Sequence, residues 1–231
     1  MEGRKLLVLI ISILMILIVP IIIYGFNFNS VAFDENVYKK EFLKHNVYKN
    51  LESYDIESIN SEVLHYLSDG KNNNLIENNF FNEREKLHLS DVKNLIQKIL
   101  TIYYVSMILF LLLMFLLIYL LKFNLKAIAK KIFIIVLVGG ALTLLDAVLL
   151  FILSNVNFDF VFEMFHKTFF IPETYTFNPQ LENIVVIYPG NLFFDFLVKI
   201  VINAAISSII LLFFCIMPLF FLKQAFFRKF T

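Results

Sequence analysis

Two histidines lie where proton-transfer chemistry would be useful, each with suitable partners close in sequence. His88 follows the run Glu83-Arg84-Glu85-Lys86. Glu85 is near enough to orient an imidazole, and Arg84 to offer a fixed positive charge to an oxyanion. His166 lies in the segment 158–170, which holds six phenylalanines together with Glu163. At helical spacing Phe162, His166 and Phe169 or Phe170 share one face. An imidazole titrates near neutral pH, so a pair of them in apolar surroundings suits general acid/base catalysis. Taken one at a time, each histidine reads equally well as a packed, hydrogen-bonded side chain, and the charged run as an ordinary solvated cluster. The other two histidines, His45 and His65, fall on polar helical faces and read as solvated surface residues.

Signatures of covalent and metal-assisted chemistry are missing. The chain has no G-x-S-x-G elbow, no P-loop, no H-E-x-x-H and no C-x-x-C. Neither a metal nor a cofactor is expected, and an enzyme built on these residues works without a covalent serine or cysteine intermediate. The single cysteine, Cys215, sits in an apolar stretch and reads as a packing residue.

The elements that must hold such a site are dictated by composition. Hydrophobic residues make up 59% of the chain and charged residues 17%, against about a quarter charged in a soluble domain. Four stretches account for the excess: 6–26, 99–121 and 200–222 are uncharged, and 132–153 carries only Asp146. About 20 residues of helix cross the hydrocarbon core, where only a helix or a closed barrel satisfies the backbone. The expected fold is therefore an all-α membrane protein with four transmembrane helices, the first kinked at Pro20. Its expected parts are a first span in 1–26, an outer loop over 27–98, a span at 99–121 and a cytoplasmic loop over 122–131. A third span at 132–153, a second outer loop over 154–199, a fourth span at 200–222 and a tail over 223–231 complete it.

Orientation follows from the basic residues beside the spans. Arg4 and Lys5, then Lys122, Lys126, Lys130 and Lys131, then Lys223, Arg228 and Lys229 flank the spans on one side, with Glu2 the one acid among them. The positive-inside rule puts that side, with both termini, in the cytoplasm. The net charge of +1 sums a basic inner and an acidic outer side. Nucleic acid is not an expected partner, because the cations are spent on orientation.

The two outer loops then form a small, mostly helical extracytoplasmic cap. In the first, apolar residues at Val37, Phe42, Val47 and Leu51, and again at Ile56, Ile59, Val63, Leu64 and Leu67, predict two amphipathic helices. Asp69-Gly70 and the asparagines 72–74 mark a turn. Ser90 predicts an N-cap, with Asp91 in the first turn, which would leave His88 just ahead of a helix N-terminus. In the second loop Pro172 is expected to end the helix bearing His166, 184–188 reads as a short strand, and Pro189-Gly190 leads into the fourth span. Asp146, a charge inside a span, needs a partner, with Asn203, Ser207 or Lys199 at reachable depths. Asp195 and Lys199 are spaced as an ion pair.

The segment from Arg84 to Lys93, and the segment Phe165-His166-Lys167-Thr168-Phe169-Phe170 followed by Phe177-Asn178-Pro179, Tyr188-Pro189 and Phe193-Phe194, resemble the lipoprotein intramolecular transacylases (Lit) of Gram-positive bacteria. The four-span layout with a large first and smaller second outer loop matches as well, with departures from the family pattern at Tyr175, Asn178 and Gly190. The resemblance implies an enzyme that moves the sn-2 acyl chain of a diacylglyceryl-modified lipoprotein onto the α-amino group of its N-terminal cysteine, with membrane lipid as its surroundings. It implies His88, His166, Arg84 and Glu85 as catalytic residues and Asp91, Lys93, Phe169 and Tyr175 as substrate-binding ones. The competing reading is a non-catalytic four-helix membrane protein whose outer loops bind an envelope partner.

Overall fold

The computed structural model describes residues 2–71, 74–171 and 174–227, with side chains as far as Ile216. Asn72, Asn73, Pro172, Arg228 and Lys229 lie outside the described residues. All regular structure among the described residues is helical: α1 Glu2–Ala32, α2 Glu35–Lys44, α3 Val47–Asn50, α4 Ile56–Ser68, α5 Glu83–Leu120, α6 Leu125–Val156, α7 Phe158–Phe169, α8 Ile184–Ile187 and α9 Gly190–Phe227. Helices α1, α5, α6 and α9 are each long and apolar enough to cross a membrane, making this a multi-pass membrane protein.

The chain divides into two compact units. The first comprises 2–27, 103–150 and 201–227, the apolar lengths of the four long helices. Its core is Val8, Ile11, Met15, Val19, Leu117 and Ile135. Small residues let the helices approach. A Cβ on Gly139 would stand 2.7 Å from Cβ of Val19, and one on Gly140 3.0 Å from Leu212. Ser208 donates to the Gly140 carbonyl at 2.7 Å, the close polar contact that small residues permit between spans. Helix α1 continues through Pro20 and past residue 26 to Ala32. Cys215 packs with its thiol 3.7 Å from the Phe133 carbonyl. Asp146 makes no hydrogen bond or ion pair among the described residues. Ser207, one of its expected partners, instead accepts from Asn27 at 3.2 Å.

The second unit comprises 28–71, 74–102, 151–171 and 174–200. Its buried centre includes Val31, Phe42, Val47, Val63, Phe81, Leu89, Ile187 and Leu192. The expected amphipathic helix 56–68 is α4, capped by Asp55, whose carboxylate accepts from the Ser58 amide at 3.1 Å. The stretch expected as the first amphipathic helix is broken into α2 and α3, because Asn46 adopts the left-handed conformation between them, which Asn tolerates better than most residues.

Two local expectations are corrected. Helix α5 begins at Glu83, a full two turns ahead of Ser90. Its start is a reciprocal capping box: Asn82 Oδ1 accepts from the Glu85 amide at 3.0 Å, and the Asn82 amide donates to Glu85 Oε2 at 2.6 Å. Asn82 therefore takes the cap expected of Ser90, and His88 lies within α5 rather than before it. The run 184–187 is the helical turn α8, not a strand. Its β-branched residues are placed by packing, with Ile184 and Ile187 both buried in the core of this unit.

Candidate active site

The polar end of α5, residues 83–98, precedes its uncharged length and belongs to the second unit together with α7 and the segment 174–189. These pieces are tied to one another by polar contacts. Arg84 Nη1 donates to Glu182 Oε1 at 2.6 Å, and its Nη2 donates to the Thr176 carbonyl. Glu182 Oε2 accepts from the Asn178 amide at 2.7 Å, and Asn183 Nδ2 donates to the Phe80 carbonyl at 2.7 Å. The guanidinium carbon of Arg84 also lies 4.7 Å from the Phe177 ring centre.

Glu85 is 1% exposed. Besides capping α5, it accepts from the Ile184 amide at 2.7 Å through Oε1. Both carboxylate oxygens are thus spent on backbone amides, and His88 Nδ1 is buried with no hydrogen-bond partner. The expectation that Glu85 orients the His88 ring is corrected: Glu85 shapes the site by joining the start of α5 to α8.

Aromatic packing orients His88 instead. Its ring centre lies 5.0 Å from Phe170 and 5.2 Å from Phe177, and it faces His166 nearly parallel, at 6.5 Å with 16° between the planes. His166 packs on Phe162 at 4.2 Å, Phe170 at 5.4 Å and Tyr175 at 5.1 Å. Its Nδ1 is 2.7 Å from the Phe162 carbonyl. A carbonyl only accepts, so Nδ1 carries the proton and Nε2 holds the lone pair.

Electrostatics keep both rings neutral. Burial, the neighbouring His166 and the Arg84 charge, in that order, push the His88 pKa down to about 4. Burial also lowers that of His166, partly offset by the bond to Phe162. For each, imidazolium is disfavoured by desolvation. Because α5 begins at Glu83, no helix N-terminus lies just beyond His88, and burial with the neighbouring His166 and Arg84 acts on the ring instead.

Of the other expected residues, Asp91 and Phe169 line one groove of about 510 Å³ together with Lys98 and Phe170, and Tyr175 packs on His166. Lys93 is placed elsewhere. It lines a different cavity with Glu62 and Tyr66, its ammonium 4.2 Å above the Tyr66 ring. His65 is exposed, as expected. His45 is not simply solvated: its Nε2 is 2.7 Å from Asp195 Oδ2, which also accepts from Lys44 at 2.6 Å. Asp195 thus pairs with α2 and not with Lys199. Reading the sequence missed Glu182 and Asn82, and named Phe177 only within a motif, with no role. Asn82 was legible as the first residue of an N-x-x-E capping box, whereas nothing local signals Glu182.

If Glu85 is structural, Glu85→Ala leaves the Asn82 and Ile184 amides without acceptors, at about 1–3 kcal/mol each. Thermal unfolding in detergent should then shift well down, and activity should fall with it. Glu85→Gln keeps one acceptor oxygen for two amides and should recover no more than about half of the loss. Lost activity at unchanged stability would instead restore the ring-orienting role.

The fold defines a class, an all-helical, multi-pass membrane protein, and within its second unit two imidazoles face each other beside a groove. Comparison with known proteins narrows it. The family model for the lipoprotein intramolecular transacylase Lit matches residues 10–194, so the chain belongs to the Lit family and is a membrane acyltransferase. Among curated proteins no sequence matches. Solved structures of the membrane integral lipoprotein intramolecular transacylase Lit from Bacillus cereus share the fold. One has a TM-score of 0.74 at 20% identity, covering 100% of this chain and 99% of that one. A histidine-to-arginine variant gives 0.76 at 18% identity with 97% of each chain covered, and a histidine-to-alanine variant 0.70 at 19%, covering 100% and 97%.

Proposed function

We propose that the protein moves the sn-2 acyl chain of a diacylglyceryl lipoprotein directly onto the α-amino group of its N-terminal cysteine, with His88 and His166 handling the proton. The facing pair of neutral imidazoles is the observation that carries this reading.

The amine attacks the ester carbonyl carbon and forms the N–C bond. A proton must leave the attacking nitrogen, and the bond from the carbonyl carbon to the sn-2 oxygen must break. A neutral imidazole accepts the first proton, and an imidazolium returns one to the departing glyceryl oxygen, so that nothing is consumed. His88 is assigned as base, and the proton it takes passes to the free Nε2 of the facing His166, which as imidazolium gives it to the glyceryl oxygen; the two rings can exchange these parts because both begin neutral. His166 Nε2 holds the lone pair free of the Phe162 contact. Arg84, fixed by Glu182 and the Thr176 carbonyl, stabilises the oxyanion of the tetrahedral intermediate. Phe170 and Phe177 keep water from the rings, which limits hydrolysis of the ester.

Purified protein given a synthetic diacylglyceryl lipopeptide should yield, by mass spectrometry, a product of unchanged mass whose acyl group resists mild alkali, as an amide does and an ester does not. Recovery of the starting diester alone would refute the activity.

In this reading the site faces outward and both termini lie in the cytoplasm, an orientation supported by Lys122 between α5 and α6, by Lys126, Lys130 and Lys131 at the start of α6, and by the basic residues after the fourth span. A cysteine at the exposed position Asn79 should react with an impermeant thiol reagent in intact cells, and one at the exposed position Asn124 should not. The opposite pattern would invert the topology.

A further inference from the structure

The groove of about 510 Å³ beside the histidines is within the range of about 300–1,000 Å³ typical of small-molecule sites. One wall is a single face of α5: Leu95, Ile99 and Ile102 follow one another at helical spacing, with Asp91 and Lys98 on the polar edge. The other wall is Phe165 and Phe169 of α7, continued by Ile171. The two ends differ. Phe170 lines the groove and packs on both imidazoles, at 5.0 Å from His88 and 5.4 Å from His166. Ile102 marks the other end, eleven residues along α5 from Asp91.

We infer that this groove seats the acyl chain that migrates, with its carbonyl end at Phe170 and its methyl end toward Ile102. The inference rests on the transfer reaction proposed above and adds which substrate group the groove selects. The migrating chain is the one tethered to the reacting carbon. That carbon must lie at the two imidazoles, so its chain has to leave along the wall the imidazoles touch, and that wall is Phe170. From Asp91 to Ile102 the α5 face runs about 16 Å at ~1.5 Å per residue, close to the ~15 Å that one acyl chain spans in half of a hydrocarbon core of about 30 Å. The lining is mainly apolar, with Asp91, Asn94 and Lys98 along one edge, and it is partly exposed rather than sealed: Phe169 is 55% and Ile171 68% exposed. A chain drawn sideways from the bilayer would cover that exposed apolar surface.

The test uses full-length protein and two lipopeptide pairs, one differing only in the sn-2 chain, octanoyl or palmitoyl, and a control pair differing only in the other chain. Ile99→Trp puts bulk about three-quarters of the way along the α5 wall from Asp91 to Ile102. The palmitoyl-to-octanoyl rate ratio should fall about tenfold or more relative to the unsubstituted protein. Ile171→Ala, at the exposed edge, gives a second reading, and the ratio should move the opposite way or stay level. Changing the other chain instead should leave both ratios alone. An unchanged ratio in Ile99→Trp, or equal loss on both substrates in a protein of normal thermal stability, would overturn the inference and make the groove ordinary lipid-facing surface. A shift that follows the other chain would overturn it too. If the unsubstituted protein N-acylates neither lipopeptide, the transfer reaction itself has failed, which is a separate result.

Discussion

Replacing either His88 or His166 with asparagine should lower turnover by about 10²-fold or more, the scale of a lost general acid or base, while the protein remains in the membrane at normal levels. Asparagine keeps a polar planar group of similar reach but cannot take a proton from an amine. The aromatic contacts that hold each ring, from Phe170 and Phe177 to His88 and from Phe162 and Tyr175 to His166, leave the surrounding framework in place. His65→Asn, at an exposed position, should change little. Retention of full activity in both substituted proteins would reduce the two histidines to packing residues.

The pH dependence has a definite sign. An α-amino group titrates near 8, and only its neutral form attacks. With His88 held at about 4 and His166 below its usual value, both imidazoles are neutral at pH 7. Between about pH 6.5 and 8 the rate should therefore climb roughly tenfold per pH unit with the amine alone. On further acidification the histidines protonate and a steeper fall sets in, which the asparagine variants should lack. Stability has its own sign. Between the unfolded value near 6.5 and the folded value near 4, the unfolded chain binds the His88 proton more readily. The folded protein thus loses stability as pH falls through that window.

The four spans and the helical character of 56–68 and 158–169 were open to a reading of the sequence, because length and periodicity are local properties. The start of α5 was not, since two caps competed. Ser90 looked sufficient alone, but Asn82 pairs with Glu85 in a box and wins two amides instead of one. The segment 184–187 carries β-branched residues that favour a strand by propensity, yet burial of Ile184 and Ile187 fixes it as a helical turn. The site was legible in its residue types and not in its roles. His88 and His166 could each be named, but the stacking of their rings is a product of the fold. Glu85 looked like a partner for its neighbour in sequence, while its acceptor oxygens go to Asn82 and, 99 residues away, to Ile184. Arg84 likewise finds Glu182 at a separation of 98. No spacing rule reports contacts of that range.

In the proposed reaction the acyl group passes directly between two positions of one modified cysteine, without resting on the protein. An amine and an ester carried on the same residue are already neighbours. Holding them in register supplies effective molarity worth about 7–11 kcal/mol of barrier, which leaves proton transfer and oxyanion stabilisation to His88, His166 and Arg84. The hydroxyl of Thr168, close in sequence to His166, donates to the Met164 carbonyl at 2.7 Å. The decisive measurement mixes two lipopeptides of different peptide mass, one with isotope-labelled acyl chains, and follows the label by mass spectrometry after conversion. Every N-acylated product should keep the label state of the peptide it came from. Label on the unlabelled peptide, or an acyl adduct trapped on Ser90, Thr168 or any other side chain of the protein, would contradict direct intramolecular transfer.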